Sequence, residues 1–264
     1  MRRVSSQNIF NRKGKKRISV LTAYDYPLAR LVDEAGLDIV LVGDSLGMVV
    51  FGEETTLRVT MDEMVRHTRA VSRAVRRALI VSDMPYRSYL TPSLALKNAR
   101  RLIRNGKAQA VKLEGGSASI CQIVRFLRKH HVAVMGHIGL LPQSVRKLGG
   151  YKVQGRSEKE ADRLLKEAQA LEQAGVFSMV LECIPARLAQ RITRAVGVPT
   201  IGIGAGLFCD GQVLVLHDLL GLYDKIQPKF VRRFATLRTP ILKALRDYKK
   251  SVENKSFPSL EESF

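Results

Sequence analysis

Short runs of β-branched and other apolar residues alternate with amphipathic stretches along the chain. The alternation predicts eight strands: Ile18 to Ala23, Asp38 to Gly43, Leu79 to Ser82, Ala110 to Leu113, Val132 to Gly136, Ser178 to Leu181, Pro199 to Ile203 and Gln212 to Leu216. The helices between them show themselves by period and by their ends. Leu28, Leu31, Val32 and Ala35 fall on one face before Gly36, which can close a helix in the left-handed conformation. Thr60 with Glu63, and Ser157 with Glu160, have the spacing of capping boxes. Thr91-Pro92 and Ile184-Pro185 set proline where a first helical turn accepts it, and Gly106 and Gly175 stand where helices should stop.

Five of the apolar runs end on polar residues suited to chemistry: Asp44, Asp83, Lys112 with Glu114, His137 and Glu182. Their recurrence at intervals of roughly 25 to 45 residues suggests parallel strands delivering side chains to one rim. Strands alternating with helices admit a closed barrel or an open doubly wound sheet. In an open sheet functional residues gather near a switch point, whereas these follow strands two to six in succession, which selects an α/β fold of the (β/α)8 TIM-barrel type. The connections Ser45 to Met61 and Ile138 to Arg156 would lie on the same rim and could cover a substrate.

With 264 residues, 45% of them hydrophobic and no linker-like stretch, one core and a single domain over 1–264 are expected. The basic segment 1–17 should form a short helix at the barrel base or stay mobile, and the polar residues from about 249 should form a surface tail. No apolar run reaches the roughly 18 residues of a membrane span, and the first residues lack the apolar segment of a secretory signal, so no membrane association and a cytoplasmic location are expected. Cys121, Cys183 and Cys209 form no zinc spacing or disulfide framework and are read as buried or incidental thiols.

The net charge of +20, from 44 Lys plus Arg against 24 Asp plus Glu, would favour anionic partners and raises nucleic acid as a rival reading. Against it, the basic residues are scattered. The densest run, Arg12-Lys13-Gly14-Lys15-Lys16-Arg17, has one aromatic neighbour, Phe10, and no stacking pattern, so it reads as a solvated basic surface.

Asp44 and Asp83 follow runs that should be buried, and unpaired buried charges cost several kcal/mol. Two kinds of partner suit them: a hard divalent cation such as Mg²⁺, with Glu114 as a third ligand through water, or a salt bridge to Lys112 or an arginine. Lys112 and Glu114 share one strand face because side chains alternate with period two. Gly115-Gly116 after them could present amides to an anion. His137 lies within Gly136-His137-Ile138-Gly139, whose small residues would let a ligand approach. It reads either as a structural hydrogen bonder or as a site residue. Glu182, flanked by apolar residues, should have its charged form disfavoured and so suit a general base, unless a neighbouring arginine satisfies it. Gly202-Ile203-Gly204-Ala205-Gly206 lacks the third glycine of a dinucleotide loop and the Lys-Ser/Thr of a P-loop. It reads as close backbone packing, or as room for a bulky ligand.

The segments Tyr24-Asp25-Tyr26, Val42-Gly43-Asp44-Ser45-Leu46-Gly47, Val111-Lys112-Leu113-Glu114-Gly115-Gly116, Gly136-His137-Ile138-Gly139-Leu140, Gly149-Gly150-Tyr151-Lys152-Val153-Gln154-Gly155-Arg156, Leu181-Glu182-Cys183-Ile184-Pro185 and Ile201-Gly202-Ile203-Gly204-Ala205-Gly206 occur in an order that closely resembles the ketopantoate hydroxymethyltransferase family. The resemblance implies a (β/α)8 barrel that transfers a one-carbon unit from 5,10-methylenetetrahydrofolate to 3-methyl-2-oxobutanoate, making 2-dehydropantoate. By matching motif it implies Asp44, Asp83 and a more distant Glu114 as Mg²⁺ ligands. It also implies Ser45 and Lys112 as contacts to the oxo acid beside Asp44 and Asp83, Glu182 as the base, and His137 near the substrate. A cytoplasmic homo-oligomer, commonly a decamer, is implied as well. Departures are small: Arg58 stands where a proline is usual, Met84 and Tyr86 replace leucine and phenylalanine, and the Lys107-Ala108-Gln109 turn is one residue longer. A related metal-dependent lyase of the isocitrate lyase and phosphoenolpyruvate mutase kind would be expected to carry a cysteine-bearing loop motif, which this sequence lacks.

Overall fold

In a computed structural model of the chain, residues 3–144, 152–224 and 228–264 are described. The expected eight strands are present: β1 (Ile18–Thr22), β2 (Ile39–Val42), β3 (Leu79–Asp83), β4 (Ala110–Lys112), β5 (Val134–Gly139), β6 (Ser178–Glu182), β7 (Thr200–Ile203) and β8 (Gly211–Leu214). Each pairs in parallel with its neighbour in sequence, and β8 pairs with β1, so the sheet closes into a barrel as the strand-end pattern predicts. The helices are α1 (Ser6–Phe10), α2 (Tyr26–Glu34), α3 (Leu46–Val49), α4 (Met61–Ala74), α5 (Pro92–Arg104), α6 (Ala118–Lys129), α7 (Glu158–Ala174), α8 (Ala186–Ala195), α9 (Leu216–Leu219) and α10 (Arg238–Glu253). The chain divides into two compact units, Met1–Val215, which holds the whole barrel, and Leu216–Phe264.

Local chemistry accounts for the helix ends. The Thr60–Glu63 and Ser157–Glu160 capping boxes both form, and Gly175, at φ 96°, ends α7 in the left-handed conformation. Thr91 caps α5 with Pro92 in its first turn. Pro185 differs from expectation: it occupies the N-cap position and α8 begins one residue later. The helix α10 runs to Glu253, so the polar stretch expected as a tail from 249 includes its last turn. Among the described residues no helix is long and apolar enough to cross a membrane.

The barrel interior is filled from the base by Val4, Ile9, Ile18, Val20, Ile39, Leu41, Leu79, Val81, Ala110, Met135, Val180, Ile201 and Val213. The short helix α1 therefore plugs the N-terminal mouth, with Ile9 fully buried and Val4 N–H bonded to Arg77 O at 2.8 Å. Because side chains alternate with period two, the residues two positions beyond Val81, Ala110, Met135 and Val180 also point inward. Those residues are Asp83, Lys112, His137 and Glu182. One layer above the apolar core the barrel thus becomes polar.

Candidate active site

The strand-end residues meet in this upper layer. Asp83 and Lys112 are register partners on β3 and β4, and Lys112 Nζ stands 3.1 Å from Asp83 Oδ1. Asp44 lies one residue past the turn at Gly43, and its backbone N–H donates to Asp83 Oδ2 at 3.1 Å. A Cβ on Gly43 would stand 2.8 Å from Ser45 Oγ and 3.5 Å from Asp83 Oδ2, so glycine permits that approach. Asp44, Asp83, Lys112, Glu114 and His137 are all buried.

Lys112 Nζ also lies 3.3 Å from His137 Nδ1. An ammonium can only donate, so Nδ1 accepts and the ring proton of the neutral imidazole sits on Nε2. That nitrogen is 3.1 Å from Glu182 Oε2, although its N–H is not aimed squarely at the carboxylate. Burial and the Lys112 charge hold His137 below its ordinary pKa, against the pull of Glu182, which agrees with a neutral ring. Glu114 Oε1 is 3.7 Å from His137 Nδ1, so Lys112 and Glu114 do enter one cluster, as their spacing requires.

The balance of charge is uneven. Burial would lower Lys112, but Asp83, Glu114 and Asp44 around it raise its pKa, keeping it an ammonium. Burial and the neighbouring Asp83 carboxylate push Asp44 up to about 7, against Lys112 and the Gln143 amide. Burial, followed by Asp44, raises Glu114 well above the usual carboxylate range. One lysine thus answers several buried carboxylates.

Gln143, which the sequence pattern did not single out, joins them. Its Nε2 donates to Asp44 Oδ2 at 2.7 Å, and its backbone N–H donates to Glu114 Oε2 at 3.1 Å. Tyr24, quoted in a motif but given no role, holds Ser45: the two hydroxyl oxygens are 2.8 Å apart.

The model of the ketopantoate hydroxymethyltransferase family matches residues 3–260. The chain belongs to this family. It is 56% identical over 251 residues to the 3-methyl-2-oxobutanoate hydroxymethyltransferase of Moorella thermoacetica, covering 94% of this chain and 93% of that one. It is 52% identical over 254 residues to the protein of the same name from Syntrophomonas wolfei, covering 96% and 92%. Among solved structures it resembles phosphoenolpyruvate phosphomutase from Streptomyces platensis (TM-score 0.64, 14% identity, 95% and 88% covered). It also resembles a phosphonopyruvate hydrolase in complex with oxalate and Mg²⁺ (TM-score 0.63, 10% identity, 97% and 92% covered). At those identities the likeness is one of fold.

For a ketopantoate hydroxymethyltransferase a divalent cation is implied, and the donor set suits one. Asp83 Oδ1 is shielded from solvent, with the Lys112 ammonium beside it but no well-angled hydrogen bond. Asp44 lies where burial and Asp83 disfavour a bare carboxylate, so a cation beside it would favour its charged form. Hard oxygens with uncompensated charge are the ligands such an ion takes. Among the described residues no group of three or more His, Cys, Asp and Glu side chains is placed to hold a metal ion.

Several glycines have a different purpose from the one expected. A Cβ on Gly139 would overlap the Glu182 carbonyl oxygen, and one on Gly136 would stand 3.0 Å from Leu171 Cδ1, so these residues make room for protein and not for a ligand. Gly115 N–H donates to His137 O at 2.8 Å and is not free for an anion, while a Cβ on Gly116 would stand 2.5 Å from Glu167 Cβ on α7. At Gly202 and Gly206 the neighbours of a Cβ would be Cys209 Sγ at 3.0 Å and Ala186 Cβ at 2.5 Å, the packing alternative. Cys183 follows Glu182 at φ 48°, and burial together with Glu182 pushes its thiol up to about 12, which disfavours a thiolate nucleophile. Of the connection expected over 138–156, residues 145–151 lie outside the described residues, with Gly149, Gly150 and Tyr151 of the quoted motif among them.

Proposed function

We propose that the chain transfers the one-carbon unit of 5,10-methylenetetrahydrofolate to 3-methyl-2-oxobutanoate, giving 2-dehydropantoate, as a cytoplasmic homo-oligomer of the decameric kind the family resemblance implies. What supports this reading is the meeting of Asp44, Asp83, Lys112, Glu114, His137 and Glu182 in one polar layer of a barrel belonging to this family.

Glu182, at 16% side-chain exposure the most accessible of these carboxylates, takes the C3 proton of the oxo acid. The Nε2–H side of His137 stands beside it and steadies the carboxylate in the position for that transfer. A general base supplies about 10² to 10⁴ in rate, so the negative charge developing on the enolate oxygen must be met as well. Lys112, a buried ammonium, meets it, and one well-aimed donor contributes roughly 3 to 4 kcal/mol. Ser45, oriented by Tyr24, contacts the substrate carboxylate. Asp44 and Asp83, with Glu114 behind them, would hold Mg²⁺, which when bound would supply Lewis-acid polarisation of the oxo acid. Water adds the hydroxyl oxygen to the folate's bridging carbon as both of its C–N bonds break, releasing tetrahydrofolate and leaving the one-carbon unit at the oxidation level of formaldehyde. The C3 carbanion adds to that carbon, and the resulting alkoxide takes back the proton held by Glu182.

The test is to incubate the protein with 3-methyl-2-oxobutanoate and Mg²⁺ in D₂O, with and without the folate, and to follow C3 deuteration and 2-dehydropantoate by NMR. Deuteration with the oxo acid alone and product only with both substrates is the expected result. Absence of product with both present would overturn the proposal.

A further inference from the structure

Gln143 has no part in the chemistry above, yet both ends of its side-chain amide and its backbone N–H are committed inside the site. Nε2 donates to Asp44 Oδ2 at 2.7 Å and to Met84 O at 3.0 Å, and the backbone N–H donates to Glu114 Oε2 at 3.1 Å. Oε1 accepts from the Tyr89 hydroxyl at 2.7 Å, and the same hydroxyl accepts the Glu114 backbone N–H at 3.3 Å. One buried residue from the turn Pro142–Ser144 therefore ties together the ends of β2, β3 and β4.

We propose that Gln143, oriented by Tyr89, is a positioning residue that sets Asp44 and Glu114 to offer one oxygen each toward a divalent cation. The proposal rests on the Mg²⁺ role given above. Each carboxylate has one oxygen held by Gln143, which leaves Asp44 Oδ1 and Glu114 Oε1 as the oxygens to face an ion or its water. A small cation that demands near-octahedral geometry is served by carboxylates held to one oxygen apiece. The neutrality of glutamine matters too. A lysine or arginine in its place would neutralise the charge that attracts the cation, and a carboxylate would repel Asp44 and Glu114. Glutamine orients them without changing the charge. The Tyr89 hydroxyl fixes which end of the amide is which, since only Oε1 can accept its proton, and so turns Nε2 to Asp44.

The experiment uses Gln143→Met, which keeps volume and removes the amide, and Tyr89→Phe, which keeps the amide and removes its orienting bond. Mg²⁺ is titrated calorimetrically into wild type and variants in the presence of 3-methyl-2-oxobutanoate, with Tm measured alongside. Loss of partners that orient metal ligands commonly weakens binding 10- to 100-fold, and that range is expected for Gln143→Met, with a smaller loss for Tyr89→Phe. Raised Mg²⁺ should restore turnover in both. Unchanged Mg²⁺ affinity in both variants beside a wild type that titrates normally would overturn the role of Gln143 and leave the proposed function standing, whatever happens to Tm. A wild type that binds no Mg²⁺ even with the oxo acid would overturn the cation role and this proposal together. If Gln143→Met does not fold, Tyr89→Phe decides by the same criterion.

Discussion

Glu182 differs from the other rim carboxylates in being partly open, and the neutral His137 stands 3.1 Å from it. Glu182→Gln should lower C3 deuteration of the oxo acid by at least about 10²-fold, the lower end of what a general base contributes, while the Kd of the oxo acid changes little. NMR exchange and calorimetry measure the two separately, and equal exchange in variant and wild type would remove Glu182 as the base. Asp83, Lys112, His137 and Glu182 were legible in the sequence as polar residues at the ends of apolar runs, and the structure shows why they meet: each lies two positions beyond a core residue on the same strand face. Gln143 was not legible: a glutamine after a proline in a turn has no periodic signature, and only the folding of that turn onto the rim buries it. Tyr24 left a fainter signal, since it follows β1 at Ala23 much as Asp44 follows β2 at Gly43.

At the level of elements, alternation carried the strand count and the capping boxes the helix starts they mark, whereas the start of α8 and the edges of β5 did not follow from pattern. The strand was expected over Val132 to Gly136 but runs Val134–Gly139, carrying His137 inside it, because its pairing with β6 continues to Gly139 opposite Glu182. A glycine in sequence announces a missing side chain but not what fills the space. Here it is the Glu182 backbone, which Leu140 N–H binds at 2.8 Å. Gly139→Ala would combine φ 99° with an overlap on the Glu182 carbonyl and a Cβ 2.9 Å from Ile184 Cγ2. Strain of this kind costs about 1 to 3 kcal/mol and would push Glu182 out of place. Thermal melts should show the lower Tm, and the deuteration assay a slower exchange than wild type at a temperature where both are folded. A variant matching wild type in both would show that β5 and β6 do not need this close approach.

Across the barrel unit, the densest basic run divides: Lys15, Lys16 and Arg17 are exposed, as expected of a solvated basic surface, while several of its residues also anchor the segment. Arg12 Nη1 pairs with Asp38 at 2.7 Å, Lys13 Nζ with Asp210 at 2.9 Å, and Arg17 with the Cys209 carbonyl. Asp210 also accepts from Gly14 N at 3.0 Å and from Thr200 N at 2.9 Å, so it joins the N-terminal segment to β7 and the lead into β8. These contacts latch the segment that plugs the barrel base and weaken the case for a nucleic-acid surface there. Burial would raise both carboxylates, but Arg12 and Ser19 around Asp38, and Thr200, Lys13 and Gly14 around Asp210, outweigh it and hold both below the ordinary Asp value. A depressed folded pKa contributes stability that is complete above the unfolded value of about 3.9 and is lost as pH falls through the folded value. Asp210→Asn keeps the shape of the side chain but gives up the charge and part of its accepting capacity. It should cost about 1 to 3 kcal/mol at pH 7, the penalty for leaving buried donors poorly met. Because the variant has nothing left to protonate at this position, its Tm should fall less steeply than that of wild type from pH 5 to pH 3. Melts across that range decide the matter: parallel curves would mean that Asp210 holds the base of the barrel by hydrogen bonds alone, without a stabilising charge.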